Sequence, residues 1–216
     1  MAGFQSAMYA SAEWQRLNAE ALALLRQVGA VFPDDFHSTG VPQIFLHDMT
    51  QPHGEPFCVD PFKGRLVFGR RTGFNSCDVS PFPHGPVRLT LIKWGAAPEQ
   101  CGKITVGDGS GLNGVAIVSY VAVTIGQEVL FGPNVVIMDS DGHPADRRLP
   151  DTLEHKKMAA VVIEDHAWVG FGALIMKGVT VGHHAVVAAN AVVTRSVPPH
   201  SVAAGNPARI VKTFST

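Results

Sequence analysis

The chain has 216 residues, 46% of them hydrophobic and only 16% charged, with a net charge of −1. That length holds one domain with a modest extension, and the near-zero charge argues against a nucleic-acid surface as the main business. So apolar a chain is expected to bury part of its surface against copies of itself. No basic, apolar, small-residue leader opens the sequence and no apolar run approaches a membrane span, so a cytoplasmic protein is the expectation. Cys58, Cys77 and Cys101 lack CxxC spacing and read as reduced thiols.

Residues 12–29 read as a helix. Trp14, Leu17, Ala21, Leu24 and Val28 recur at three- and four-residue spacing, with Ser11 placed to cap. Residues 30–100 are dense in Pro and Gly. Short alternating pieces such as Arg65–Phe68 and Leu89–Trp94 read as strands of irregular register. Residues 1–100 are therefore taken as an N-terminal extension.

A six-residue beat starts near residue 104. Val106, Leu112 and Val118 mark three hexads, Thr124 adds a one-residue slip, and Ile125, Phe131 and Ile137 mark three more. From Ile163 the beat runs unbroken through Val169, Ile175, Val181, Val187 and Val193. Four places after each stands a small residue: Ala167, Ala173, Val179, Ala185, Ala191 and Val197. Period six fits neither an alternating strand nor a 3.6-residue helix; it is the signature of a parallel β-helix, in which three hexads make one coil. Residues 101–216 form this prism, with about four regular coils ending at Val197-Pro198-Pro199. Aliphatic ladders fill its interior, so any site lies outside. Between the two runs of hexads, residues 139–161 form a polar loop with five acidic residues, Arg147, Arg148, His143 and His155. A loop of that length inside a regular repeat is functional or disordered.

From Val123 to Lys212 the chain resembles the hexapeptide-repeat acetyltransferases, in particular the maltose and galactoside O-acetyltransferase branch. The shared pieces are Val123-Thr-Ile-Gly126, Phe131-Gly-Pro-Asn-Val135, Gly142-His-Pro144, Trp168-Val-Gly170, Gly178-Val-Thr-Val-Gly182, and Val197-Pro-Pro199 followed by Ala204-Gly-Asn-Pro-Ala-Arg209. The resemblance implies a mainly β fold, a left-handed parallel β-helix with one protruding loop. It also implies a homotrimer, acetyl-CoA as donor with no metal, and active sites between neighbouring subunits. It gives His143 the part of general base. A histidine suits that part because a hydroxyl is a poor nucleophile near neutral pH and imidazole takes its proton there. Glu154 is placed where the loop returns to the prism and is the candidate for orienting His143, with Asp139 and Asp141 as neighbours and a backbone carbonyl as a substitute.

The same resemblance puts an acceptor-binding asparagine at Asn113, or Leu112 if the slip at Thr124 falls differently. The acidic residue expected just before Val123 is missing, with Tyr120 near that place. Trp168, Ala189, Thr194, Arg195, Arg209 and Lys212 match donor positions: an indole wall, a small-residue stretch for the pantetheine arm, and cations for CoA phosphates. Phe171 stands where the family has Ser or Gly. The function implied is O-acetylation of a saccharide or saccharide-bearing acceptor. N-acetylation of an amino sugar is the alternative, and a non-catalytic scaffold is a further one. A zinc hydrase on the same prism has two ligands five residues apart, and no two of the ten histidines have that spacing.

Overall fold

Each aliphatic residue of the beat points into a triangular prism. Ile163, Val169, Ile175, Val181, Val187 and Val193 are all 0–1% exposed. The residues four places on, Ala167 through Val197, are buried at the corners. The position after each aliphatic residue must be slim where the next coil lies on it. A Cβ on Gly170 would come 2.7 Å from the Ala189 nitrogen and 2.9 Å from the Val187 oxygen. The sequence period is therefore a packing requirement of stacked backbone.

The computed structural model describes residues 12–51, 55–76 and 85–215. Ser11, the expected helix cap, and Cys77 lie outside them. Helix α1 (Ala12–Gln27) buries Ala21 and Leu25, and Gly29, at φ 69°, ends it in the left-handed conformation that glycine takes without strain. The strands that follow are β1 (His37–Ser38), β2 (Gln43–Asp48), β3 (Leu66–Phe68), β4 (Gly73–Asn75), β5 (Arg88–Lys93) and β6 (Ile104–Val106). Next come β7 (Gly111–Asn113), β8 (Ala116–Ser119), β9 (Val123–Ile125), β10 (Leu130–Phe131), β11 (Val136–Met138) and β12 (Val161–Ile163). The chain closes with β13 (Trp168–Val169), β14 (Leu174–Ile175), β15 (Thr180–Val181), β16 (Val186–Val187), β17 (Val192–Val193), β18 (Ser201–Gly205) and β19 (Ala208–Thr213).

Every third strand shares a face. Face one is the 8-stranded sheet β1-β4-β7-β10-β13-β16-β18-β19, face two the 6-stranded sheet β2-β5-β8-β11-β14-β17, and face three the 5-stranded sheet β3-β6-β9-β12-β15. Among the described residues all pairings between these strands are parallel except the closing hairpin β18–β19. This is the expected left-handed parallel β-helix, with its N-terminal helix and its protruding loop. The 6-stranded face carries one strand per coil, so the stack has six coils rather than the four legible from the beat. The ladders pass straight through residue 101: β5 pairs β8 and β3 pairs β6. The first two coils escape the six-residue period because excursions such as 94–103 leave the prism between their strands. Larger side chains fill their interior. Phe36 lies 5.3 Å from Phe68 and 5.0 Å from Phe74, ring centre to ring centre, and Leu25 and Val28 of the α1 segment join the same core.

Candidate functional site

The polar loop leaves the prism at the corner between faces two and three, directly after β11. Asp139 anchors its root. This carboxylate is fully buried and accepts hydrogen bonds from the Ser119 hydroxyl (2.9 Å) and the Tyr120 and Val121 amides (2.7 and 2.8 Å). Burial pushes its pKa above the usual carboxylate range, and those amides draw it back only in part. Asp139 thus holds the loop and does not reach the imidazole. The chain returns along a short antiparallel stem: Ser140 bridges Met158, the Asp141 amide donates to the Lys157 carbonyl (3.0 Å), and the Ala159 amide donates to the Asp139 carbonyl (2.9 Å). Lys177, from the next coil at the same corner, pairs with Asp141 at 2.5 Å. Gly142, at φ 72°, makes the turn that presents His143.

His143 lies with Nδ1 2.9 Å from Asp151 Oδ2, its side chain 67% exposed. A carboxylate on Nδ1 favours the tautomer with the proton there, so the Nε2 lone pair is free to accept one. Asp151 is itself held: Lys156 Nζ lies 3.1 Å from its other oxygen. Lys156 first, then His143, keep the Asp151 carboxyl below the usual range, so it stays charged. Glu154, the expected partner, is turned elsewhere. It accepts from the Thr152 hydroxyl at 3.4 Å and lies 3.7 Å from His155 Nδ1. Sequence reasoning missed Asp151 because eight residues of loop separate it from His143; the stem and the turn at Gly142 bring the two together.

Asn113 ends β7 on face one and points outward, while Leu112 is 1% exposed and fills the core. Of the two, only Asn113 therefore presents its side chain outside the prism. Its Oδ1 accepts from Asn75 Nδ2 (3.0 Å), and Asn75 Oδ1 accepts from the Thr39 hydroxyl (2.9 Å), a polar ladder climbing three coils. Trp168, 53% exposed, projects from the same face. In register along that face run Leu130, Trp168, Val186 and Val202, with Lys212 of β19 beside Val202. Arg209 pairs with Ala204 in the same hairpin and donates to the Ala208 carbonyl (2.9 Å). The Lys212 ammonium lies 5.1 Å from the Phe214 ring centre. Ala189 is exposed at the corner between faces one and two, and Thr194 and Arg195 at the corner that carries the loop.

Seven of the candidates fall into two sets, with Ala189 at the corner between faces one and two and Glu154 in the loop. His143, Thr194 and Arg195 share one corner; Asn113, Trp168, Arg209 and Lys212 share face one, across the prism from it. Among the described residues no hydrogen bond or ion pair joins the sets within one chain. An open concavity of about 470 Å³ lies at a third place, the corner between faces three and one, lined by Thr124, Glu164, Asp165, His166, His183 and His184. It holds none of the candidates. Among the described residues no group of three or more His, Cys, Asp or Glu is placed to hold a metal ion, and no helix is long and apolar enough to cross a membrane.

Residues 160–195 match the family described as bacterial transferase hexapeptide (six repeats). Over 98 residues the chain is 37% identical to galactoside O-acetyltransferase of Escherichia coli, covering 45% of this chain and 47% of that one. Over 67 residues it is 43% identical to 2,3,4,5-tetrahydropyridine-2,6-dicarboxylate N-acetyltransferase of Staphylococcus aureus, covering 31% and 28%. The chain spans about half the length of the curated relatives it matches. In fold it is similar to AntD, an N-acyltransferase of Bacillus cereus solved with dTDP and 3-hydroxybutyryl-CoA, with TM-score 0.59 at 13% identity over 90% of this chain and 88% of that one.

Proposed function

We propose that this chain, a hexapeptide-repeat acetyltransferase relative near the galactoside and maltose O-acetyltransferase branch, transfers an acetyl group from acetyl-CoA to a hydroxyl of a saccharide or saccharide-bearing acceptor. The observation that carries the reading is the exposed imidazole of His143 with its Nδ1 on Asp151. In the reaction His143 Nε2 takes the acceptor proton as the hydroxyl oxygen attacks the thioester carbonyl. The tetrahedral intermediate then breaks its C–S bond, and the imidazolium returns the proton to the departing thiolate. Asp151 stabilises the imidazolium between those two transfers. Asn113 offers its carboxamide N–H to the acceptor, and Trp168, Ala189 and Thr194 border the pantetheine arm. Arg195, Arg209 and Lys212 face the CoA phosphates.

The active assembly is a homotrimer, with His143 of one copy facing the Trp168 face of the next. The separation of the two residue sets within one chain supports this arrangement, since apposing two copies brings them together. A reaction on acetyl-CoA belongs in the cytoplasm, where that donor is available. A second reading, N-acetylation of an amino sugar, draws on the likeness to the staphylococcal N-acetyltransferase. The same imidazole deprotonates an ammonium acceptor. Thiol release from acetyl-CoA, measured against sugars and the matching amino sugars, tests both. Release with sugars supports the first; release with amines alone replaces it with the second; release with neither removes both.

A further inference from the structure

Of the loop's cations, which the proton transfers above do not use, Lys156 is placed unlike the others. Lys156 sits on the returning arm of the stem, next to Lys157, whose carbonyl accepts from the Asp141 amide. Its side chain is only 7% exposed, although the loop around it is polar and open. Arg148, by contrast, is 90% exposed and pairs with Asp146 on the outside. A lysine is rarely so buried unless its ammonium is paired. Here the partner is Asp151 Oδ1 at 3.1 Å, and the other oxygen of the same carboxylate carries His143 Nδ1 at 2.9 Å. One carboxylate is thus gripped at both oxygens.

That grip has a mechanical consequence. The terminal torsion of an aspartate is broad, so a carboxylate bound at one oxygen swings freely. Asp151 is 46% exposed and would exchange the imidazole for water. With Lys156 pinning the far oxygen, the near oxygen is directed at Nδ1, the imidazole keeps its proton there, and Nε2 keeps its lone pair and its aim. We propose that Lys156 is a positioning residue for the His143–Asp151 pair, acting only through the Asp151 carboxylate. This rests on the reading of His143 as the base.

A double-substitution cycle on the full chain, with acetyl-CoA and an active acceptor, tests it. Lys156→Met should lower kcat about tenfold with the KM for acetyl-CoA unchanged, and Lys156→Arg should restore it to within about twofold. Asp151→Asn should lower kcat at least as far, and adding Lys156→Met to Asp151→Asn should cost nothing further, because the lysine has lost the group through which it acts. Nitrogen-15 shifts of the His143 ring give a readout independent of turnover. The Nδ1-protonated tautomer should dominate in the native chain and become a mixture in Lys156→Met. Wild-type kcat in Lys156→Met, full additivity with Asp151→Asn, or an unchanged tautomer would each overturn the assignment. His143→Ala separates the two levels. An inactive His143→Ala beside a fully active Lys156→Met overturns Lys156 alone, whereas a fully active His143→Ala overturns the base and with it the role of Lys156.

Discussion

The first two coils and the last three are held by the same three parallel ladders, yet they are filled differently. In the last coils Ile175, Val181, Val187 and Val193 alternate with the small corner residues Val179, Ala185 and Ala191, and each coil is the minimum that closes the triangle. In the first coils Phe36, Phe68 and Phe74 fill the prism, and the chain leaves it for long excursions between strands. Ladder pairing therefore does not require the hexad. The hexad is what remains when every residue between strands is needed to turn a corner. The corners show how tight that is: Asn134, Asn190, His166, His184 and His200 all take left-handed φ between 53° and 61°. L residues other than Asn, Asp and His rarely go there.

The comparison breaks most directly at its cores. Phe36→Ala should cost about 3–5 kcal/mol, because it removes a buried ring packed on Phe32, Phe68 and Phe74. Ile175→Ala, in the regular coils, should cost about 2–5 kcal/mol. Since the ladders are continuous, both should shift a single melting transition. Two transitions, with Phe36→Ala moving only one, would make the first coils a separate unit.

A smaller effect singles out the regular coils, whose corner stacks imidazoles. The His166 and His184 rings lie 4.8 Å apart, and those of His184 and His200 5.1 Å apart. Desolvation, then the neighbouring His166, His200 and His183, lower the pKa of His184 below its ordinary 6.5. The unfolded chain therefore takes up a proton at this residue before the folded chain does. The contribution of His184 is complete above about pH 6.5 and declines as pH falls below it. Melting curves of the native protein should thus lose more on going from pH 7.5 to 5.5 than those of His184→Asn, which keeps a residue suited to the left-handed corner. Parallel losses would remove the histidine stack from the account. The smallest effect belongs to the C-terminal hairpin. Arg209→Ala and Lys212→Ala, both exposed, should each raise the KM for acetyl-CoA about two- to fivefold with kcat unchanged. An unchanged KM would return both to ordinary solvated surface.

What could be read from sequence followed the same division. The last coils were legible because one aliphatic residue per six has no other periodic explanation. The first coils were not, because Arg88 pairs with Ala116 across an excursion that erases any period. The loop was legible as an interruption, and Gly142-His143-Pro144 marked the imidazole proposed as the base. The partner of His143 was not legible: choosing Asp151 over Glu154 takes a stem, Ser140 against Met158, whose pairing leaves no mark in the order of residues. Asn113 was legible only as one of two options, because the extra residue near Thr124 can be absorbed on either side. In the fold Leu112 is buried and Asn113 is the one that faces outward.

The turnover of His143→Ala, read as thiol release from acetyl-CoA with an active acceptor and set beside the CoA affinity of the same variant, bears most directly on the loop imidazole as the working group. Turnover should fall by about 10²–10⁴-fold while CoA affinity stays within about twofold. Near-native turnover with intact CoA binding would contradict it.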